Sequence, residues 1–385
     1  MTTSITTSEL KPDATTGSLA VARLFDGEHW HSNVQLSWQQ GQITAITPAA
    51  GPVQAGSLVP GFIDLQVNGG GGALFNNQPT LAALNTMAQA HRRFGTSAML
   101  PTVITDSLAV MQQAADVIAA ALANKLAGVI GIHFEGPHLA LPKKGVHPAA
   151  HIRPLTAAEL AIYQRTDIGI KLITVAPENV TPAQIKQLIA AGMQVWLGHS
   201  NADAATVQDA LAAGACGFTH LYNAMSPLGS REPGMVGVAL TDAHSWCGLI
   251  LDGLHLHPIA AKLALAAKPK GKVLLVTDAM SPVGTNDTEF AFFSGTVRRQ
   301  GNQLTNEDGA LAGSVLDMAS AVRYAVQVLD VELHEALCMA SLYPAQALGC
   351  GDYRGKLQPG YQADMVLLDQ QLHCQQNWIA GNRVY

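Results

Sequence analysis

The chain has 385 residues, nearly half of them apolar, so it is long enough to bury a large core. Its net charge is −6, only 13% of its residues are charged, and it has no lysine- or arginine-rich run, which argues against nucleic-acid binding. No apolar run reaches the roughly 18 residues of a membrane span, and no export signal stands at the start. The five cysteines lack paired spacing. We therefore expect reduced thiols in a cytoplasmic protein without a membrane partner.

The two ends of the chain carry β-type patterns. Residues 1–18 are rich in threonine and serine, so we predict a disordered tail there. Short strand-like runs separated by turn signals follow, and similar runs return at the far end, at 19–25, 34–38, 43–46, 363–368 and 378–384. These runs predict a small β-sandwich domain built from both termini, residues 19–60 with residues 353–385.

Between these ends, strand-like runs alternate with helical stretches rich in alanine and leucine. Eight such runs lie at 62–67, 98–102, 129–135, 170–176, 194–199, 217–223, 246–252 and 273–278. Eight alternating units predict an α/β fold, a closed parallel (β/α)8 barrel of the TIM type, over residues 61–352. Two more helices are predicted after the eighth strand, at 315–329 and 333–348.

Polar residues stand at the carboxyl ends of these runs, which converge in such a barrel. Glu135 and His199 end two of the runs and His220 lies in the middle of a third run, and together they make a three-ligand set that leaves a coordination position open for water. A metal there can lower the pKa of water to around 7 and so supply hydroxide. Asp278, after the eighth strand, can move a proton between that water and a leaving amine. Taken singly, a histidine at a strand end is more often a hydrogen-bonded structural residue than a ligand, but two in consecutive units make a functional site as expected as a structural one.

Nine short motifs in one order resemble the amidohydrolase superfamily, and among its members the deacetylases of N-acetylated sugar phosphates. They lie at 60–64, 66–72, 133–137, 143–147, 198–202, 220–225, 231–234, 252–255 and 277–279. The pattern at 355–364 is similar to the return of that superfamily into its small β-sandwich.

The resemblance implies a set of metal and catalytic residues. Glu135, His199 and His220 match metal ligands, Asp278 matches the acid/base, and His255 matches the position that polarises the acetyl carbonyl. Many members bind a second metal through His-x-His at the first strand end, where this chain has Gln66-Val67-Asn68. An amide is a weaker ligand than an imidazole, so we expect one divalent metal per chain. Zinc is the expected metal, with Fe²⁺, Mn²⁺ and Co²⁺ as alternatives, and Gln66 would contact a water or the site only weakly.

The resemblance also implies a phosphosugar substrate. His147, Asn223, the backbone of Ala224 and Arg231 match positions that hold it, and a homodimer is expected. Without the resemblance, Arg231 fits a surface ion pair and His147 fits loop packing.

The implied reaction is hydrolysis of N-acetyl-D-glucosamine 6-phosphate to D-glucosamine 6-phosphate and acetate in amino-sugar catabolism. The alternatives are the galactosamine epimer, a cyclic amide, or a non-catalytic phosphosugar-binding protein.

Overall fold

The computed structural model describes residues 15–293 and 295–385. Its strands are β1 (Gly17–Phe25), β2 (Trp30–Gln39), β3 (Gln42–Pro48), β4 (Gln54–Pro60), β5 (Phe62–Val67), β6 (Gly69–Gly70), β7 (Ala73–Leu74), β8 (Thr96–Ile104), β9 (Gly131–Glu135), β10 (Ile170–Val175), β11 (Met193–Leu197), β12 (Gly217–Phe218), β13 (Trp246–Leu249), β14 (Val273–Leu275), β15 (Glu289–Phe292), β16 (Gly295–Gln300), β17 (Gln303–Thr305), β18 (Met365–Leu368), β19 (Cys374–Ile379) and β20 (Asn382–Arg383). Its helices are α1 (Leu81–Arg92), α2 (Leu108–Ala123), α3 (Ala157–Tyr163), α4 (Pro182–Ala190), α5 (Ala204–Ala212), α6 (Gly234–Thr241), α7 (Pro258–Ala267), α8 (Met318–Gln327), α9 (Leu333–Ala340) and α10 (Leu342–Ala347).

Eight parallel strands form a barrel at the centre of the chain. Their order is β5-β8-β9-β10-β11-β12-β13-β14, and every neighbouring pair is parallel. The outer strands β5 and β14 meet beyond their carboxyl ends, where Val67 bridges to Ala279 and the Asp278 N–H donates to the Gln66 carbonyl. The predicted (β/α)8 barrel is confirmed.

Three of the predicted strands end early because the backbone turns into a left-handed conformation. β11 and β12 end two residues before His199 and His220, and β14 ends three residues before Asp278. These residues have φ values of 48°, 33° and 52°, a region that is incompatible with a β-strand and uncommon for any residue except glycine. The three side chains therefore stand on the first turn beyond the barrel.

The terminal strands form a separate seven-stranded sheet in the order β20-β19-β18-β4-β1-β2-β3. β4 joins the two ends of the chain, because it pairs in parallel with β1 and antiparallel with β18. The sheet has its own apolar core, which includes Leu36, Leu58 and Met365. A β domain of terminal strands is thus confirmed, although β4 was not predicted, since glycine and proline weaken its strand signal. The domain limits themselves stay a prediction.

The predicted tail needs a correction at its end. Residues 1–14 lie outside the described residues, but Gly17 and Ser18 already belong to β1 and pair with Trp38 and Ser37. Backbone hydrogen bonds to β2 hold these two residues in a strand, although their small side chains do not favour one.

A three-stranded antiparallel sheet, β15 to β17, is inserted between β14 and α8. This sheet was not predicted from the sequence. Phe292, Val297 and Leu304 bury one face of this insertion against Ile104 and Met280 of the barrel. The insertion therefore packs over the carboxyl end of the barrel.

Several helices begin at a side-chain cap. Thr181 accepts the Gln184 N–H ahead of Pro182 at the start of α4, for example. The predicted helix at 333–348 is interrupted at Ser341, because the following Pro344 cannot continue a helix through residue 340. Within residues 15–293 and 295–385, no helix is both long and apolar enough to cross a membrane.

Candidate active site

A carboxylate and two imidazoles meet at the carboxyl end of the barrel. Glu135 is the last residue of β9, and His199 and His220 stand on the turns after β11 and β12. Glu135 Oε1 lies 3.1 Å from His199 Nε2 and 3.0 Å from His220 Nε2, and the two nitrogens are 3.0 Å apart. All three side chains are buried. The structure thus brings together the three residues predicted as metal ligands.

The chemistry of this donor set fits a divalent metal ion. His199 Nδ1 lies 2.9 Å from the Lys143 carbonyl, so it carries the hydrogen and leaves the Nε2 lone pair facing the cluster. Burial opposes a charge on Glu135, but the imidazoles of His199, His220 and His147 around it hold its pKa well below the usual range. The cluster therefore offers an anionic oxygen and imidazole nitrogens at one point, as in catalytic zinc sites with three protein ligands.

Asp278 faces this cluster through two amide side chains. Asn68 Nδ2 donates to Asp278 Oδ1 at 2.6 Å, and Gln66 Nε2 donates to both Asp278 Oδ1 at 3.2 Å and Glu135 Oε1 at 3.0 Å. Burial and the charge of Glu135 raise the pKa of Asp278 to about 6. Gln66 therefore bridges the acid/base candidate and a ligand candidate with its N–H group. Sequence reasoning placed Asn68 at a strand end but assigned it no role.

A buried carboxyl group, that of Asp64, supports Asp278 through its neighbours Thr277 and Gln66. Asp64 Oδ2 accepts the Thr277 hydroxyl at 2.5 Å, and Asp64 Oδ1 accepts the Gln66 and Thr277 backbone N–H groups at 3.2 and 3.3 Å. Asp64 thus holds the residue before Asp278 and the residue that bridges to Glu135. Burial raises the pKa of Asp64 from 3.8 to about 7.

We expect Asp64→Asn to flatten the pH dependence of stability. A folded-state pKa of about 7 against the usual 3.8 means that the folded chain binds this proton more tightly than the unfolded chain. The stabilisation is full below about pH 4 and is lost as the pH rises through about 7. Asparagine keeps an oxygen that accepts the Thr277 hydroxyl but has no proton to lose.

Urea unfolding at pH 4.5 and pH 8 measures this difference. The free energy of unfolding should fall more steeply with pH in the wild type than in Asp64→Asn. Asp308→Asn, an exposed change in the insertion, should keep the wild-type slope. Parallel slopes for the wild type and Asp64→Asn would contradict the expectation.

His255 is oriented by a carboxylate three residues earlier. Its Nδ1 donates to Asp252 Oδ2 at 2.7 Å, and Asp252 Oδ1 accepts the backbone N–H groups of Leu254 and His255, each at 2.8 Å. This leaves Nε2 of His255 as the ring nitrogen available to a ligand. Asp252 is the last residue of the predicted strand at 246–252, but its pairing with His255 was not predicted.

One cavity of about 320 Å³ joins these groups. Its volume lies in the range of small-molecule sites. The residues predicted from the sequence that line this cavity are Glu135, His147, His199, His220, Asn223, Ala224, His255 and Asp278. Asn68 and Lys143 also line it. Tyr222 and Ala224 beside it have φ values of 77° and 51°. Strained backbone of this kind persists where the surrounding structure enforces it, and functional sites are common places for it.

Two predicted substrate residues have distinctive positions. His147 is buried, with its Nδ1 2.9 Å from Thr105 Oγ1 and its Nε2 4.0 Å from Glu135 Oε2. Burial and the neighbouring His199 hold the pKa of His147 well below its usual range, so its ring is neutral. Arg231 is exposed and does not line the cavity. The structure therefore brings His147 to the cluster but leaves Arg231 outside the cavity.

Comparison with known proteins gives consistent matches along the chain. The model of the amidohydrolase family matches residues 57–383. A relative from Shewanella sp. (strain ANA-3), named N-acetylgalactosamine-6-phosphate deacetylase, is 56% identical over 331 residues, which is 86% of this chain and 84% of the relative. A protein of the same name from Escherichia coli O157:H7 is 38% identical over 94% of this chain and 98% of its own length. The crystal structure of N-acetylglucosamine-6-phosphate deacetylase from Pasteurella multocida has a TM-score of 0.92 at 32% identity, covering 96% of this chain and 99% of that one.

The fold and the site together define a class of enzyme. A (β/α)8 barrel whose strand ends present a buried carboxylate, two imidazoles and a facing aspartate is a barrel hydrolase of the metal-dependent kind. The match over residues 57–383 and the 56% identical relative show that the chain belongs to the amidohydrolase family. The resemblance read from its motifs is confirmed.

Proposed function

We propose that this hydrolase removes the acetyl group from an N-acetyl-D-hexosamine 6-phosphate, giving acetate and the amino sugar phosphate in amino-sugar catabolism. The observation that carries the proposal is the meeting of Glu135, His199, His220 and Asp278 in one cavity. The name of the 56% identical relative supports N-acetyl-D-galactosamine 6-phosphate as the preferred substrate. N-acetyl-D-glucosamine 6-phosphate, the substrate expected from the motifs, is the second candidate and is supported by the Pasteurella structure.

Glu135, His199 and His220 would hold one divalent ion, for which zinc is our first proposal and Fe²⁺, Mn²⁺ and Co²⁺ are alternatives. Such an ion, when bound, lowers the pKa of a water molecule and polarises a carbonyl oxygen. Asp278 accepts a proton from the attacking water on its carboxylate and passes it to the nitrogen of the leaving amine. The oxygen of the water ends in acetate, so atoms and protons balance. Asn68 and Gln66 hold Asp278 in place by their N–H groups.

His255 is proposed to act on the acetyl carbonyl. When both of its ring nitrogens carry hydrogen, Nδ1 donates to Asp252 and Nε2 can donate to the carbonyl oxygen as negative charge develops on it. Asp252 is therefore a positioning residue for His255. A donor placed in this way stabilises the transition state more than the substrate, which raises kcat.

The phosphosugar is proposed to lie against Asn223 and the backbone of Ala224, both of which line the cavity. A neutral His147 would supply a hydrogen bond rather than a charge. Arg231 can grip a phosphate through two hydrogen bonds, but it is exposed and outside the cavity of its own subunit. We therefore propose a homodimer in which Arg231 reaches the cavity of the other subunit.

The five free cysteines support the proposed cytoplasmic location.

Acetate release from four sugars tests this function. The purified protein is assayed with N-acetylgalactosamine and N-acetylglucosamine, each with and without the 6-phosphate. We expect rapid release from the phosphorylated sugars alone, with the higher kcat/KM for the galactosamine epimer. A higher kcat/KM for the glucosamine epimer would support the second candidate. Calorimetric binding of both sugar phosphates without any acetate release would show a binding protein and overturn the proposal.

A further inference from the structure

An apolar wall forms one side of the cavity. Ile104, Met280 and Phe292 all line the cavity, all are buried, and all belong to one hydrophobic cluster. Ile104 comes from β8 and Met280 follows β14, whereas Phe292 comes from the inserted sheet. The wall is therefore part barrel and part insertion, and none of its three side chains has a role in metal binding, proton transfer or phosphate binding.

The wall stands beside the reacting groups. Ile104 is the strand partner of Glu135 across β8 and β9, and Met280 lies two residues after Asp278. The imidazoles of His199, His220 and His255 come instead from the turns after β11, β12 and β13. The carboxyl end of the barrel thus has an imidazole side, from β11 to β13, and an apolar side, from β8 and β14, and Glu135 and Asp278 stand next to the apolar side.

The Met280 side chain of this wall packs closely against neighbouring backbone. A Cβ atom added at Gly313 would come within 2.4 Å of Met280 Cγ, so the backbone already packs directly against that side chain. The Met280 N–H also donates to the Ser314 carbonyl at 2.9 Å. Phe292 closes the wall from the insertion and packs edge-on against Phe293, with ring centroids 4.8 Å apart.

The substrate offers one apolar group near its reacting carbon. The sugar carries hydroxyl groups and a phosphate, which need polar partners such as Asn223, while the acyl chain of the amide needs none. We propose that Ile104, Met280 and Phe292 form the acyl pocket and that Phe292 sets the longest acyl chain the enzyme accepts. This inference rests on the proposed function, because it assigns the apolar wall to the acyl part of that substrate.

Phe292→Ala should shift the enzyme toward longer acyl chains. Hydrophobic pockets discriminate one methylene by about 10–200-fold. We therefore expect the wild type to prefer N-acetyl over N-propionyl and N-butyryl galactosamine 6-phosphate. In Phe292→Ala, the ratio of kcat/KM for N-butyryl to N-acetyl substrate should rise by at least about 10-fold. Phe292→Leu should give an intermediate ratio. This variant also provides the test if the alanine variant does not fold.

Phe290→Ala is the matched control. Phe290 lies on the same strand and packs against the same cluster but does not line the cavity. Its acyl preference should stay that of the wild type. An equal gain in Phe290→Ala would show general loosening of the insertion and overturn the proposal. If Phe292→Ala lowers kcat/KM for the N-acetyl substrate without changing the acyl preference, the sugar rather than the acyl chain lies against the wall, and the proposal is overturned.

A binding measurement separates this inference from the proposed function. Calorimetry with the Asp278→Asn protein compares N-acetyl and N-butyryl galactosamine 6-phosphate without turnover. The N-butyryl compound should bind more weakly, and adding Phe292→Ala should remove most of that difference. Absence of acetate release by the wild type would reject the proposed function alone, whereas equal binding of both compounds by the Asp278→Asn protein would reject the acyl pocket.

Discussion

Asp278→Asn should lower kcat for acetate release by about 10²–10⁴-fold, the contribution typical of a general acid/base. Asparagine is nearly isosteric and can keep the contact to Asn68 through its oxygen, but it cannot accept the proton of the attacking water. Asp278 is not among the three residues that form the metal cluster. The metal content should therefore stay near that of the wild type while turnover is lost. Steady-state kinetics and elemental analysis of the same sample measure both quantities.

Asp308→Asn is the matched control for this change, because Asp308 is an exposed aspartate on the insertion. It should leave kcat and metal content unchanged. Turnover of Asp278→Asn within about threefold of the wild type would contradict the assigned role. A parallel loss of metal would instead show that Asp278 acts through the metal site.

His199→Ala should remove the metal and the activity together. The change deletes one of three ligand candidates whose donor atoms lie about 3 Å apart, and it also leaves the Lys143 carbonyl without its imidazole donor. Even changes to groups that only support ligands cost about 10–100-fold in metal affinity or activity. We therefore expect a larger loss here, with metal content falling from about one per chain to near zero.

His151→Ala serves as the control for metal binding, because His151 is a more exposed histidine on the loop that follows Lys143. Its metal content and activity should match those of the wild type. Full metal content in His199→Ala, with retained acetate release, would contradict the assignment of the cluster.

The barrel was predictable because its signal is local and repeated. Eight apolar runs alternating with helical stretches leave few other architectures. The early ends of β11, β12 and β14 were not predictable, because the left-handed backbone of His199, His220 and Asp278 is imposed by the surrounding fold. Hydrophobic periodicity extends each predicted strand as far as its polar residue, because the residue types there carry no signal for this bend.

Residue types at the strand ends indicated the centre of the site but not its supports. Glu135, His199, His220 and Asp278 are residue types with few alternatives for metal and proton chemistry, so their positions predicted a cluster. The bridging role of Gln66, the contact of Asn68 and the pairing of Asp252 with His255 depend on hydrogen-bond directions that only the folded structure supplies.

The inserted sheet shows a different limit of sequence reasoning. Its alternating aromatic and aliphatic residues, Phe290, Phe292, Val297 and Leu304, are a strand signal that could have been detected. Its placement over the cavity could not, because that depends on the packing of Phe292 against Ile104 and Met280, residues far away in sequence. The insertion therefore adds a wall to the site that the motifs do not describe.

We expect deacetylation of a phosphosugar to depend on metal bound by Glu135, His199 and His220. This dependence is tested most directly by removing metal with a chelator and adding zinc back in steps while acetate release from N-acetylgalactosamine 6-phosphate is measured. Release should be lost in the stripped protein, rise in proportion to added zinc, and level off near one equivalent per chain. Undiminished release from metal-free protein would contradict metal-dependent deacetylation at this cluster, as would zinc binding that restores no release from either epimer.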